Sequence, residues 1–147
     1  MKIHSHLILF GLIVSACTSA RSIPPAQSPD CQTPIEWKID FAFSGGIAGQ
    51  SKSLTISSSG NAIGQDLRKG EKHESIISQD GLRKIAGMLA QACPFGIKDT
   101  NNLCADCFGY KLIVSMNGRQ YSFEGNDLNI PENIAPLIGY LRIFISK

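Results

Sequence analysis

Tyr110-Lys111-Leu112-Ile113-Val114-Ser115-Met116-Asn117-Gly118-Arg119-Gln120-Tyr121-Ser122-Phe123 is the stretch whose pattern decides the fold. Tyr110, Leu112, Val114 and Met116 fall at every second position, the period of a strand with one buried face. Asn117-Gly118 is the two-residue turn whose backbone twist matches that of right-twisted strands. Tyr121 and Phe123 carry the inward face into the return strand, so an antiparallel hairpin is expected here.

Toward the N-terminus, Ile35-Glu36-Trp37-Lys38-Ile39-Asp40-Phe41-Ala42-Phe43 alternates apolar and polar without a slip, which predicts a further half-buried strand. Residues 52–58 place Leu54 and Ile56 on one face, and Gly60-Asn61 turns the chain into a weaker strand around 62–67, which predicts a second hairpin. Residues 70–74 are polar and read as loop. Ser78 then precedes Gln79-Asp80 and a run of Leu82, Ile85, Met88, Leu89 and Ala92 at helical spacing. Ser78 fits the N-cap, and Asp80 in the first turn complements the helix dipole. On the other side of the hairpin, Ile134, Leu137, Ile138, Leu141, Phe144 and Ile145 form one apolar helical stripe, with Pro136 in the first turn, where its missing N–H costs little. Asp127 and Glu132 read as polar caps near that helix. The fold class is therefore α+β: an antiparallel sheet of four to five strands, in β-β-β-α-β-β-α order, with two helices packed on one face.

The first residues speak to location. Lys2 is followed by the apolar run Leu7-Ile8-Leu9-Phe10-Gly11-Leu12-Ile13-Val14, too short to span a bilayer comfortably and shaped like a signal peptide. Val14-Ser15-Ala16-Cys17 resembles the lipobox of bacterial lipoproteins. That resemblance implies cleavage before Cys17, lipidation of its thiol and acylation of its new amino group; each buried methylene adds roughly 0.8 kcal/mol to such an anchor. Thr18, in place of an aspartate, resembles lipoproteins sorted to the outer membrane. The expected organisation is a signal peptide over residues 1–16, a lipidated Cys17 with a Pro-rich tether over 17–34, and one α+β domain over 35–147 facing the periplasm. In the tether, Pro24, Pro25, Pro29 and Pro34 stand among small polar residues, which predicts an extended spacer. The alternative is an ordered arm stapled to the domain through Cys31.

Lys and Arg total 14 against 12 Asp and Glu, with no basic run interleaved with aromatics, so nucleic acid is not an expected partner. Cys31, Cys93, Cys104 and Cys107 are an even number in an oxidising compartment and predict two disulfides. Three connectivities are open, with Cys93 favoured to join Cys104 or Cys107 across the short intervening loop. Cys104-Ala105-Asp106-Cys107 also has the spacing of a redox pair or of half a zinc site. A redox pair normally opens a helix, whereas Cys107 runs into a strand-like segment, and a structural zinc needs a second close pair. No metal or other cofactor is expected.

Catalytic residue types are scarce. His4 and His6 leave with the signal peptide, so His73 is the remaining histidine. No serine sits in a nucleophile elbow, and no spacing brings two of Asp40, Asp106, Asp127 and Glu132 onto one helix face. No catalytic residue is assigned. Ser44-Gly45-Gly46-Ile47-Ala48-Gly49-Gln50 stands out instead: three glycines between two strands, with an apolar residue near the centre. Such a loop is either a wide hairpin turn or a protruding contact. Without a following GK[ST] or an opening helix it is no phosphate loop.

Three separated pieces, Phe43-Ser44-Gly45-Gly46-Ile47-Ala48-Gly49, Asp106-Cys107-Phe108-Gly109-Tyr110-Lys111-Leu112, and Asp127 followed by Pro131-Glu132, Ile134, Pro136-Leu137 and Leu141, resemble in that order the emfourin family of protealysin inhibitors. The likeness covers roughly residues 38 to 145. It implies an α+β fold, no cofactor, and binding of a thermolysin-like metallopeptidase by surface contacts, and carries over no contact residue; from its own composition the glycine-rich loop, Gly45, Gly46, Ile47, Ala48 and Gly49, is the expected partner-binding surface. The chain departs from the family in its lipid anchor, its four cysteines, and Arg119-Gln120-Tyr121-Ser122, where a histidine is expected. The expected function is thus a membrane-anchored periplasmic binding protein that inhibits a metallopeptidase; the competing reading is an assembly lipoprotein that binds another envelope component.

Overall fold

The computed structural model describes residues 31–95 and 104–145. The expected signal peptide, the expected lipidation at Cys17 and the expected tether before Cys31 lie outside the described residues. No described helix is long and apolar enough to cross a membrane.

The elements run β1 (Trp37–Gly45), β2 (Gln50–Ser57), β3 (Asn61–Asp66), β4 (Glu71–Ile76), α1 (Gln79–Ala92), β5 (Phe108–Met116), β6 (Arg119–Asn126) and α2 (Ala135–Ile145). The strands form one antiparallel sheet in the order β4-β3-β2-β1-β5-β6. The middle of the sheet is apolar on its inward face: Ile39 faces Ile56 and Val114 across the ladders, and Phe41 faces Leu54 and Leu112, while Lys52, opposite Phe43, reaches the Ile145 carbonyl of α2 at 3.3 Å. Leu82, Ile85 and Leu89 of α1, with Leu137, Ile138 and Leu141 of α2, close the same core from one side. Each such side chain contributes roughly 1.5–3 kcal/mol by leaving water. No described helix covers the opposite sheet face, with Ala42, Ser44, Ser53, Thr55 and Ser122.

The sheet has six strands, not four to five, and the added strand changes the order to β-β-β-β-α-β-β-α. Residues 70–74, read as loop, belong largely to β4. All six of its side chains are exposed, so the strand has no buried face to impose a two-residue period. Backbone pairing alone holds it, Asn61 opposite Ile76 through Asp66 opposite Glu71. The charges that disguised it also suit an edge strand, because they discourage pairing with other chains.

Local signals elsewhere behave as their chemistry dictates. Ser78 is the N-cap of α1, its hydroxyl accepting from the Gly81 N–H at 3.2 Å. Asn117 and Gly118 take φ of 51° and 72°, which closes the β5–β6 hairpin. The disulfides join Cys31 to Cys93 and Cys104 to Cys107, each with Cα atoms 5.4 Å apart. Short loop length does not select the partner of Cys93. That residue follows α1 directly, and Asn133 donates to the Ala92 carbonyl at 2.8 Å beside it. Cys31 and Pro34 are buried, so the chain is fastened to the domain from Cys31 onward.

The sheet thus has two poles, separated by nine-residue strands spanning roughly 30 Å. At one, Trp37 pairs with Met116, the N-terminal end of α2 meets the end of α1, and the Cys31–Cys93 bridge fastens the entering chain. At the other, Gly45 pairs with Phe108, and the last turn of α2 places Arg142 over the Phe43 and Phe108 rings. We call these the tether pole and the loop pole.

Candidate functional site

The glycine-rich segment forms the β1–β2 turn at the loop pole. Gly45, Gly46 and Gly49 have φ of 117°, 68° and 56°, values that L side chains adopt only with strain. The Gly49 N–H donates to the Gly46 carbonyl at 2.8 Å, which closes a turn with Ile47 and Ala48 at its tip. Ile47 is 94% exposed.

Two contacts fix the base of the turn. A Cβ on Gly45 would stand 2.3 Å from the Cys107 carbonyl oxygen, and the Gly46 N–H donates to that same oxygen at 3.3 Å. A Cβ on Gly46 would meet the Phe108 ring at 2.7 Å. Glycine at these two positions is therefore a packing requirement as well as a conformational one. From the other side, Arg68, just after β3, donates through Nη1 to the Ala48 and Gly49 carbonyls, both at 2.8 Å. The turn is gripped at both shoulders and bare at its apolar tip.

Phe108 connects the turn to the core. Its ring packs edge-on against Phe43 at 5.5 Å and lies beneath the Arg142 guanidinium, 4.9 Å from the ring centre. Its N–H donates to Asp127 Oδ2 at 2.8 Å, and the Asp127 N–H donates back to its carbonyl at 3.2 Å. Asp127 is thus no helix cap: it follows β6 and locks the start of β5. Its other oxygen accepts from the Tyr110 hydroxyl at 2.5 Å, and that hydroxyl accepts from Arg142 Nη1 at 3.1 Å. Burial, reinforced by the Asp127 carboxylate, pushes Tyr110 up to about 12 against the opposing pull of Arg142. Tyr110 is a neutral donor at physiological pH, a structural link and no base.

The remaining polar residues form no hydrogen-bonded constellation with the turn. His73 lies exposed on β4, opposite Gly64, and lines an open cavity with Asp66 and Glu71. Asp40 accepts from Thr55 Oγ1 at 2.7 Å and pairs with Lys38 at 3.0 Å on the open sheet face. Among the described residues, no cluster of three or more His, Cys, Asp or Glu could hold a metal ion. The Cys104–Cys107 bridge is followed by strand β5 and lies against the glycine turn.

Sequence reasoning singled out residues 45–49 but missed Arg68, Phe108, Tyr110, Asp127 and Arg142 as their supports. Arg142 carried a faint signal, a cation in the last turn of an apolar helix. Arg68 carried none, because its partners are main-chain carbonyls 20 and 19 residues away. Comparison of the chain with protein-family models and with curated proteins finds no match.

Proposed function

We propose that the domain is a protein-binding module that inhibits a thermolysin-like metallopeptidase through the turn at residues 45–49, held at the periplasmic face of the outer membrane by a lipid on Cys17. The observation that carries this reading is Ile47, an apolar side chain 94% exposed at the tip of a turn gripped at both shoulders. Burying such a side chain in a partner's apolar pocket yields roughly 1.5–3 kcal/mol. Because Arg68 and the Cys107 carbonyl already order the turn, little conformational entropy is lost on docking, which favours affinity from a small surface. The resemblance of residues 43–49, 106–112 and 127–141 to the emfourin family supplies the class of partner. The fastening of the chain at the tether pole supports presentation of the turn away from the membrane.

The test is inhibition. Purified protein is titrated into a panel of thermolysin-like metallopeptidases, and loss of peptide hydrolysis at about micromolar protein is expected for at least one. Full activity of every enzyme would refute inhibition. Crosslinking in the envelope that captures only non-peptidase partners would favour an assembly role.

A further inference from the structure

The two disulfides differ in ways that bear on the turn. Cys31 is 7% exposed, and Cys93, half-buried, packs against the core. Cys104 and Cys107 are both half-buried, next to exposed Ala105 and Asp106, so neither sulfur is shielded from reductant as Cys31 is. The first bridge links residues 62 apart and the second residues 3 apart, so opening the second releases only a short local ring. That ring ends on Cys107, whose carbonyl accepts the Gly46 N–H and sits where a Gly45 Cβ would fall. The Cys107 carbonyl shares a peptide plane with the Phe108 N–H, which Asp127 also holds, so the bridge is one of two holds on the support of the turn. Opening the bridge therefore loosens that support, while the pairs from Ser44–Gly109 inward keep the sheet together.

We propose that the Cys104–Cys107 disulfide is a reducible site for a dithiol, and that its redox state sets the order of the glycine turn. A thiolate of the dithiol attacks one sulfur, breaking the Cys104–Cys107 bond and forming a mixed disulfide while the other cysteine leaves as a thiolate. The second thiol of the dithiol then displaces the bound cysteine. Two electrons and two protons pass to the protein, which holds two thiols, and the dithiol becomes a disulfide. The consequence for binding rests on the proposed role of the turn, whereas the redox step does not.

The experiment treats the full chain with graded dithiothreitol, alkylates the freed thiols and maps them by peptide mass, while amide hydrogen exchange follows the turn. Cys104 and Cys107 are expected to label before Cys31 and Cys93, and Gly46 and Gly49 to exchange about tenfold faster, with the β1–β5 ladder unchanged. The double variant Cys104→Ser/Cys107→Ser should show the same exchange without reductant. Simultaneous labelling of all four cysteines, or unchanged exchange at Gly46 and Gly49 once Cys104 and Cys107 are labelled, would overturn the proposal. Inhibition of a peptidase that responds to the untreated protein should fall about tenfold on reduction. If no peptidase responds, the labelling and exchange still decide the redox claim, and the inhibitor reading alone fails.

Discussion

The tether pole and the loop pole are built from the same kinds of part, a disulfide, a glycine turn and a tyrosine, and use them differently. At the tether pole the bridge closes a separation of 62 residues, and the Asn117-Gly118 turn is open, with nothing within 4 Å of a Cβ on Gly118. At the loop pole the bridge spans 3 residues, and Gly45 abuts the Cys107 carbonyl. Tyr121, opposite Val114 on β6, buries its hydroxyl without a hydrogen-bond partner among the described residues, whereas the Tyr110 hydroxyl joins Asp127 to Arg142. One pole constrains the chain as a whole, and the other shapes one local surface. Under the proposed function, parts that serve stability are thereby separated from parts that serve presentation.

The largest expected difference is between the bridges. Loop-closure entropy assigns about 4 kcal/mol to Cys31–Cys93 and about 2 kcal/mol to Cys104–Cys107. Urea unfolding of Cys31→Ala/Cys93→Ala and of Cys104→Ala/Cys107→Ala should show the first as the more destabilised. Equal losses would break the distinction between the poles.

The glycines come next. Gly45→Ala meets both a φ of 117° and a backbone oxygen, and should cost about 3 kcal/mol, whereas Gly118→Ala, strained but unobstructed, should cost about 1 kcal/mol. Thermal denaturation of the two variants gives the comparison. A difference below the error of measurement would mean that the Cys107 carbonyl moves aside.

These glycines also mark what the sequence could reveal. The strands β1, β2, β5 and β6 were legible because one face of each meets a core, and the caps and the Asn-Gly turn because their chemistry is local. Strand β4 was hidden, since Glu71, Lys72, His73 and Glu74 all face water and its pairing is entirely main chain. The partner of Cys93 was hidden as well, because Cys31 meets it through tertiary docking of α1. For the candidate site, composition exposed residues 45–49, whereas their grip by Arg68 and Phe108 depends on contacts formed only when β3 and β5 are placed.

The tyrosines give smaller effects. Tyr110→Phe removes one hydrogen bond each from Asp127 and Arg142 and should cost about 1 kcal/mol, while Tyr121→Phe should fall within about 0.5 kcal/mol of the parent protein. The two also differ in pH dependence. Tyr110 is neutral in the folded protein up to about 12, above its ordinary value near 10. Its contribution is present in full below pH 10 and is lost as pH rises from 10 through 12, where the unfolded chain has released a proton that the folded one retains. Unfolding free energies across that window should fall more steeply for the parent protein than for Tyr110→Phe. Parallel curves would show that the hydroxyl is not held by burial and Asp127.

Removing the Arg68 clamp should barely alter stability, since Arg68 is exposed, yet Arg68→Ala should speed amide exchange at Gly49. Unchanged exchange would show that the turn is ordered by the Cys107 side alone.

The central claim, that the loop pole presents Ile47 to a peptidase, is tested most directly by the inhibition constants of the parent protein and Ile47→Asp against a thermolysin-like metallopeptidase that the parent inhibits. The account predicts a loss of about tenfold or more for Ile47→Asp with unfolding unchanged, as expected when an apolar anchor is replaced by a charge at a docking tip. Superimposable inhibition curves would contradict it.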